Sequence, residues 1–233
     1  YLRYWDDLLA RNPGLWIDSC ASGGRRNDLE TMRRSVPLHY SDYGYGDHPV
    51  KLAFQHTLYQ WLPYFKEFTL SYDLTGGSRW DATVDAFAYH TAMAPMQFAT
   101  LDVRRDDYDF ELACKLIAIW RKASDLLLHG DYYAHTPYHR DAAQWVVRQF
   151  DDPKAGRGLL QAVRLPKSGQ ETFVVYPKGL EADATYRLTK ADDEEVKELT
   201  GQILARDGFS ITLPARGAAI WFYRKLETTE GER

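Results

Sequence analysis

The sequence predicts a mixed architecture, parallel strand–helix repeats followed by an antiparallel β-sandwich. Three observations predict it. Short apolar runs alternate with helical periodicity up to about residue 130. Polar and glycine-rich residues follow each of those runs, as they do where parallel strands carry a site at their C-terminal ends. After about residue 130 the texture changes to short alternating strands divided by turns such as Lys178-Gly179 and Asp207-Gly208.

Residues 1–11 read as a helix with Leu2, Trp5, Leu8 and Leu9 on one face, ended by Asn12-Pro13-Gly14. The chain thus reads as starting within a helix, as a piece of something longer would. Residues 15–20 read as a short buried strand, followed by a Gly23-Gly24 turn and a helix over about 27–35. A second strand is expected over 37–42. Gly44 and Gly46 then open a loop, and Pro49 starts a helix running to about 62. The third and fourth strands fall at 68–72 and 96–101, separated by a largely helical stretch over 81–95. A long helix over 107–128 carries Leu112, Leu116, Ile119, Trp120 and Leu127 at helical spacing. Such alternation implies βαβ units and a parallel sheet. The sandwich strands are expected at 145–150, 158–164, 172–176, 184–188, 203–204, 209–213 and 218–223, with a frayed charged tail over 226–233. The predicted domains are 1–130 and 131–233, with the boundary near 130–143.

Composition narrows the function classes. The 233 residues are 45% hydrophobic and 27% charged, with a formal net charge of −4, which is no footprint for nucleic acid. No apolar run approaches the ~20 residues of a membrane span. Aromatic residues make up 14%, which fits either a well-filled core or stacking on sugar rings. Two cysteines, Cys20 and Cys114, are no disulfide framework, so a reducing, cytoplasmic compartment is the default.

Asp18 ends the first expected strand and Asp42 the second. Two carboxylates flanking one sugar bond are what glycoside hydrolysis needs, although an Asp after a strand also serves as a turn or helix cap. Neighbouring parallel strands are only about 4.8 Å apart. That leaves a sugar little room between the two carboxylates and argues against their being the catalytic pair. The turn Ser22-Gly23-Gly24-Arg25-Arg26 offers close backbone approach and, at Arg26, a planar fork of donors for vicinal hydroxyls; an ordinary tight turn with solvated arginines reads equally well. It lacks the Lys-Ser/Thr of a phosphate loop. His129, His135 and His139 have no cysteine nearby to support a zinc site, and their segment reads as a linker.

Cys20-x-x-Gly23-Gly24-x-Arg26-x-Asp28, followed by Ser41-Asp42 at the next strand end, resembles the glycoside hydrolase family 36 α-galactosidases. The resemblance extends through the later helices to the terminal sandwich. It implies half of a TIM-type (β/α)8 barrel, about four strands, with a C-terminal antiparallel β-sandwich, acting on α-galactosides by a retaining mechanism. It implies Asp42 as the general acid/base. Cys20, Gly23 and Arg26 would bind galactose, with Asp18 and Ser41 beside them, and no cofactor or metal would be required. Arg25 departs from the pattern, standing where the best-known members have a third Gly. The family nucleophile, an Asp in a Lys-x-Asp strand, has no counterpart before Leu15. The resemblance therefore predicts a chain inactive or weakly active alone, with its open barrel half completed by a second copy or by a missing N-terminal half; a non-catalytic sugar-binding scaffold is the alternative. Four parallel strands cannot close a barrel, and open edges seek partners.

Overall fold

The computed structural model describes every residue except 21, 22, 37, 76–81 and 228–233. Ala21 and Ser22 of the expected turn, Pro37 of the second expected strand, Asp81 at the start of the 81–95 stretch and most of the charged tail lie outside the described residues. The chain divides into two compact units, Tyr1–Phe110 and Glu111–Arg233.

The first unit contains α1 (Leu2–Arg11), α2 (Leu29–Met32), α3 (His48–Trp61), β1 (Lys66–Phe68), α4 (Tyr72–Thr75), α5 (Ala86–Thr91) and β2 (Met96–Phe98). Four extended segments lie side by side in chain order, all parallel. Ser19 bridges Leu38, Leu38 bridges Phe65, and β1 pairs with β2 in the register Lys66↔Met96. The first two segments are single bridges rather than full strands. Their backbones still bond across: Val36 N–H donates to the Ile17 carbonyl at 3.0 Å, and Lys66 N–H to the Leu38 carbonyl at 3.1 Å.

Helix entries in this unit are set by side-chain caps. Asp28 accepts from Thr31 N, Asp47 from Val50 N and Asp85 from Phe87 N. Pro49 sits in the first turn of α3, where its missing N–H costs nothing. The interior carries an unusual polar seam. His48 on α3 is held by Thr91 Oγ1 at 2.9 Å and Ser71 Oγ at 3.0 Å, and Ser71 donates to Asp85 at 2.6 Å. Glu67 on β1 is fully buried, yet the Tyr40 hydroxyl (2.6 Å), the Gln55 amide (2.9 Å) and the Phe68 N–H (3.1 Å) all donate to it. A buried carboxylate persists only with such partners.

The second unit begins on α6 (Phe110–His129) and continues through β3 (Asp131–Ala134), β4 (Trp145–Asp152), β5 (Arg157–Arg164), β6 (Thr172–Val175), β7 (Thr185–Lys190), β8 (Val196–Thr200), α7 (Gly201–Arg206), β9 (Phe209–Thr212) and β10 (Gly217–Lys225). Its large sheet is antiparallel in the order β3-β4-β5-β10-β7-β8, and β6 pairs with β9 in a second antiparallel sheet. Both sheets feed one core: Trp145, Leu160, Leu188, Trp221 and Tyr223 from the larger meet Val175, Phe209 and Ile211 from the smaller. Residues 219, 221 and 223 of β10 take this face because side chains alternate along a strand. The other face of the large sheet is also covered. Lys122 of α6 lies 4.2 Å from the Phe222 ring centroid, and Asp125 pairs with Arg157 of β5 at 2.6 Å. Hence β4 and β5 are buried almost continuously.

Several expectations need correction: residues 15–20, expected as a buried strand, hold one bridge at Ser19 with Leu15 and Trp16 exposed, the third strand lies at 66–68, and β8 was not expected. Ile203-Leu204 is not a strand but part of α7, entered through Thr200, whose hydroxyl accepts from Ile203 N at 3.2 Å. Two adjacent apolar residues carry no period, so the cap decides. The expected linker contains β3, paired to β4 in the register Asp131↔Asp151. Among the described residues no group of His, Cys, Asp and Glu could hold a metal ion, and no helix is long and apolar enough to cross a membrane.

Candidate functional site

The candidate residues gather at one end of the parallel segments. Gly23 and Gly24 both lie in the left-handed region, with φ +73° and +81°, where glycine is the residue that fits without strain. Their lack of side chains is also required by contact. A methyl group on Gly23 would stand 2.9 Å from Asp42 Oδ2, and one on Gly24 would stand 2.4 Å from the Tyr40 carbonyl. The glycine turn is therefore pressed against the segment that carries Asp42. Asn27 reinforces the junction, its amide donating to the His39 carbonyl at 3.2 Å.

Asp42 is exposed, but one of its oxygens is held. Oδ1 accepts from the Tyr45 hydroxyl and lies 2.8 Å from His39 Nε2. The Tyr45 hydroxyl hydrogen bond, then His39, then the charge of Arg25 hold the Asp42 carboxyl below the usual aspartate range. Burial, then the charge-assisted bond to Asp42, pushes the Tyr45 phenol up. Ser41 beside it accepts from Tyr43 N–H at 2.9 Å, which tightens the turn after the second segment.

The other candidates are placed as follows. Asp18 forms an ion pair with Lys66, whose side chain is 6% exposed. Cys20 is a free, exposed thiol near Tyr45. Arg26 stacks on the Tyr1 ring, 4.9 Å from its centroid, and it is Arg25 whose charge reaches Asp42. Asp28 caps α2. The structure thus brings Gly23, Arg25 and Asp42 together and leaves Arg26 on a neighbouring surface.

Two residues escaped the sequence reading. His39 and Tyr45 stand three positions either side of Asp42 and both reach its Oδ1. The paired spacing was the available signal. Beside Tyr45 opens a cleft of about 460 Å³, lined by Phe68, Leu70, Thr100, Leu101, Asp102 and Arg104. Arg104 is clamped by Asp102 through two bonds of 2.8 Å, so its charge is already matched. An aromatic and aliphatic lining with a few polar groups is the usual make-up of a small-molecule cleft.

No family model and no curated protein matches the sequence. Solved structures do match, and they define a class first: the fold is shared with glycoside hydrolases of family GH36, as a C-terminal portion of their chain. The α-galactosidase from Lactobacillus brevis is similar over 99% of this chain and 32% of its own, with a TM-score of 0.77 at 18% identity. A variant of the GH36 α-galactosidase AgaA from Geobacillus stearothermophilus, in complex with raffinose, is similar over 96% of this chain and 30% of its own, with a TM-score of 0.75 at 16% identity. The galactosidase domain of the α-galactosidase–sucrose kinase AgaSK is similar over 96% and 31%, with a TM-score of 0.74 at 19% identity. The chain therefore spans about three tenths of the length of these structures, and at such identities the likeness is one of fold.

Proposed function

We propose that these 233 residues form the C-terminal part of a retaining α-galactosidase-like glycoside hydrolase, supplying the acid/base and much of the sugar pocket. Asp42 is the acid/base. Gly23, packed against Asp42 Oδ2, lines the pocket with Cys20, Ser41 and Asp18, and Arg26 would reach the sugar only by leaving its stack on Tyr1. The four parallel segments of residues 1–130 are half of a β/α barrel, and residues 131–233 are its terminal sandwich. The carboxylate nucleophile that a retaining mechanism requires is not one of these residues. A second copy of the same residues would lack it too, so it comes from a segment other than these 233 residues.

One observation carries this reading: the Cys-x-x-Gly-Gly turn and the Ser-Asp carboxylate meet at Gly23 and Asp42 Oδ2, 19 positions apart in sequence. The GH36 fold likeness supports it, as does raffinose bound to one such structure. A galactose titration followed by NMR tests it. Saturable shifts at Gly23, Cys20 and Asp42 are expected, without release of p-nitrophenol from an aryl α-galactoside. Phosphate competing where galactose does nothing would overturn the sugar site. A burst of p-nitrophenol abolished by Asp42→Asn would overturn the placement of the nucleophile elsewhere.

A further inference from the structure

We propose that His39 and Tyr45 are positioning residues that lock Asp42 by its Oδ1, favour its carboxylate form and leave Oδ2 as the oxygen that takes up and releases the proton. This rests on the acid/base reading of Asp42 given above.

The geometry is a closed triangle. The Tyr45 hydroxyl donates to Asp42 Oδ1, His39 Nε2 lies 2.8 Å from the same oxygen, and the Tyr45 oxygen lies 3.0 Å from His39 Nε2. Tyr45 has one proton and spends it on Asp42. An attractive contact between His39 and Asp42 then requires the tautomer with hydrogen on Nε2, shared between Asp42 Oδ1 and the Tyr45 oxygen. Neither ring is free to turn away. His39 is 2% exposed and meets Phe68 edge-on at 5.5 Å, and the Tyr45 ring lies 4.4 Å from Phe68. One β1 side chain therefore backs both donors.

The second carboxylate oxygen is treated differently. Oδ2 faces Gly23, where even a methyl group would stand at 2.9 Å. An oxygen that already accepts two hydrogen bonds is a poor place for a proton, so protonation falls on Oδ2. When that proton moves to a glycosidic oxygen, the charge left on the carboxylate spreads onto Oδ1, where two donors already point. Preorganised donors at a developing charge are the costly part of such a site to build, and here the fold supplies them. The remaining charged and titratable neighbours are Arg25, facing Asp42 from the glycine turn, and Cys20 and Tyr72, facing Tyr45.

The test reads Asp42 directly and needs no turnover. The Asp42 carboxyl carbon is followed by NMR across pH in ¹³C-aspartate-labelled protein, assigned with Asp42→Asn. The wild-type midpoint is expected below the ordinary aspartate range. Tyr45→Phe, which keeps the ring on Phe68, should move it upward by roughly one pH unit, a tenfold change. His39→Gln, which retains an N–H donor, should move it less. An unchanged midpoint in Tyr45→Phe would overturn the proposal. The ¹⁵N spectrum of His39 in the wild-type chain gives an independent answer should that variant fail to fold. The Nε2–H tautomer is expected, with shifts that track the Asp42 midpoint, and an Nδ1–H tautomer would overturn the proposal. Failure of galactose to bind would instead remove the acid/base reading and leave these titrations standing.

Discussion

Position 67 holds a glutamate with no exposed surface, and burial raises its carboxyl pKa above the ordinary value despite the opposing charge of Lys51 and three donors. A folded-state pKa raised above the unfolded one contributes stability at low pH, which is lost as pH rises through the folded value. Glu67→Gln removes that titration. Urea midpoints should therefore show the wild-type chain losing ground to Glu67→Gln as pH rises from the ordinary glutamate range upward, and parallel curves would contradict this. Asp42 has the opposite sign, since its lowered pKa favours the fold above the unfolded value and loses that contribution as pH falls. Lys66 and Glu67 also show why single residues mislead a reader of sequence. Both are ionisable, both are buried in β1, and each is tolerated because a partner arrives from a distant segment: Asp18 for Lys66, Tyr40 and Gln55 for Glu67.

Among elements, α3 follows directly on the loop that carries Tyr45. Its Asp47 cap accepts from Val50 N at 3.2 Å, and the start of the helix holds His48 in the polar seam. Asp47→Ala should lower unfolding stability by about 1 kcal/mol, read by urea denaturation, because one orphan helix donor loses its acceptor. Element legibility followed burial. The helices α3 and α6 and the strands β4, β5 and β10 were read from periodicity or apolar runs, because each buries a face or both faces within its own unit; α1 was read from the same periodicity although it buries no residue. The third parallel strand was expected at 68–72 but lies at Lys66–Phe68, with α4 starting at Tyr72. Strand signals seek apolar residues, and here the strand is built on a buried ion and a buried acid. α7 and β3 were missed because a two-residue apolar pair and a histidine-rich run carry no resolvable period.

At the scale of the molecule, the first unit exposes large apolar groups. Trp16 is 79% exposed, Trp61 77% and Leu29 75%, and no residue of α1 is buried despite its apolar face. Large apolar side chains left this exposed are candidates for interaction faces. They support the proposal that the open barrel half is completed by a further surface. Light scattering should therefore give a mass above the 26.9 kDa of one chain, with binding of a hydrophobic dye where association is incomplete. A monodisperse monomer that binds no dye would remove the proposal.

The local order of the chain determined a great deal by itself. Periodicity and turn chemistry divided parallel α/β from antiparallel β, and the Gly-Gly turn and the Ser-Asp pair could be nominated as a candidate site through the family resemblance that they carry. Tertiary structure decided which members of those motifs touch. It pressed Gly23 onto Asp42, paired Asp18 with Lys66, stacked Arg26 on Tyr1 and closed His39 and Tyr45 on one carboxylate oxygen. The reason is physical. Backbone periods repeat along the chain and can be read there, whereas a side-chain contact depends on the register between segments, and that is settled only when distant residues satisfy one another's buried polar groups.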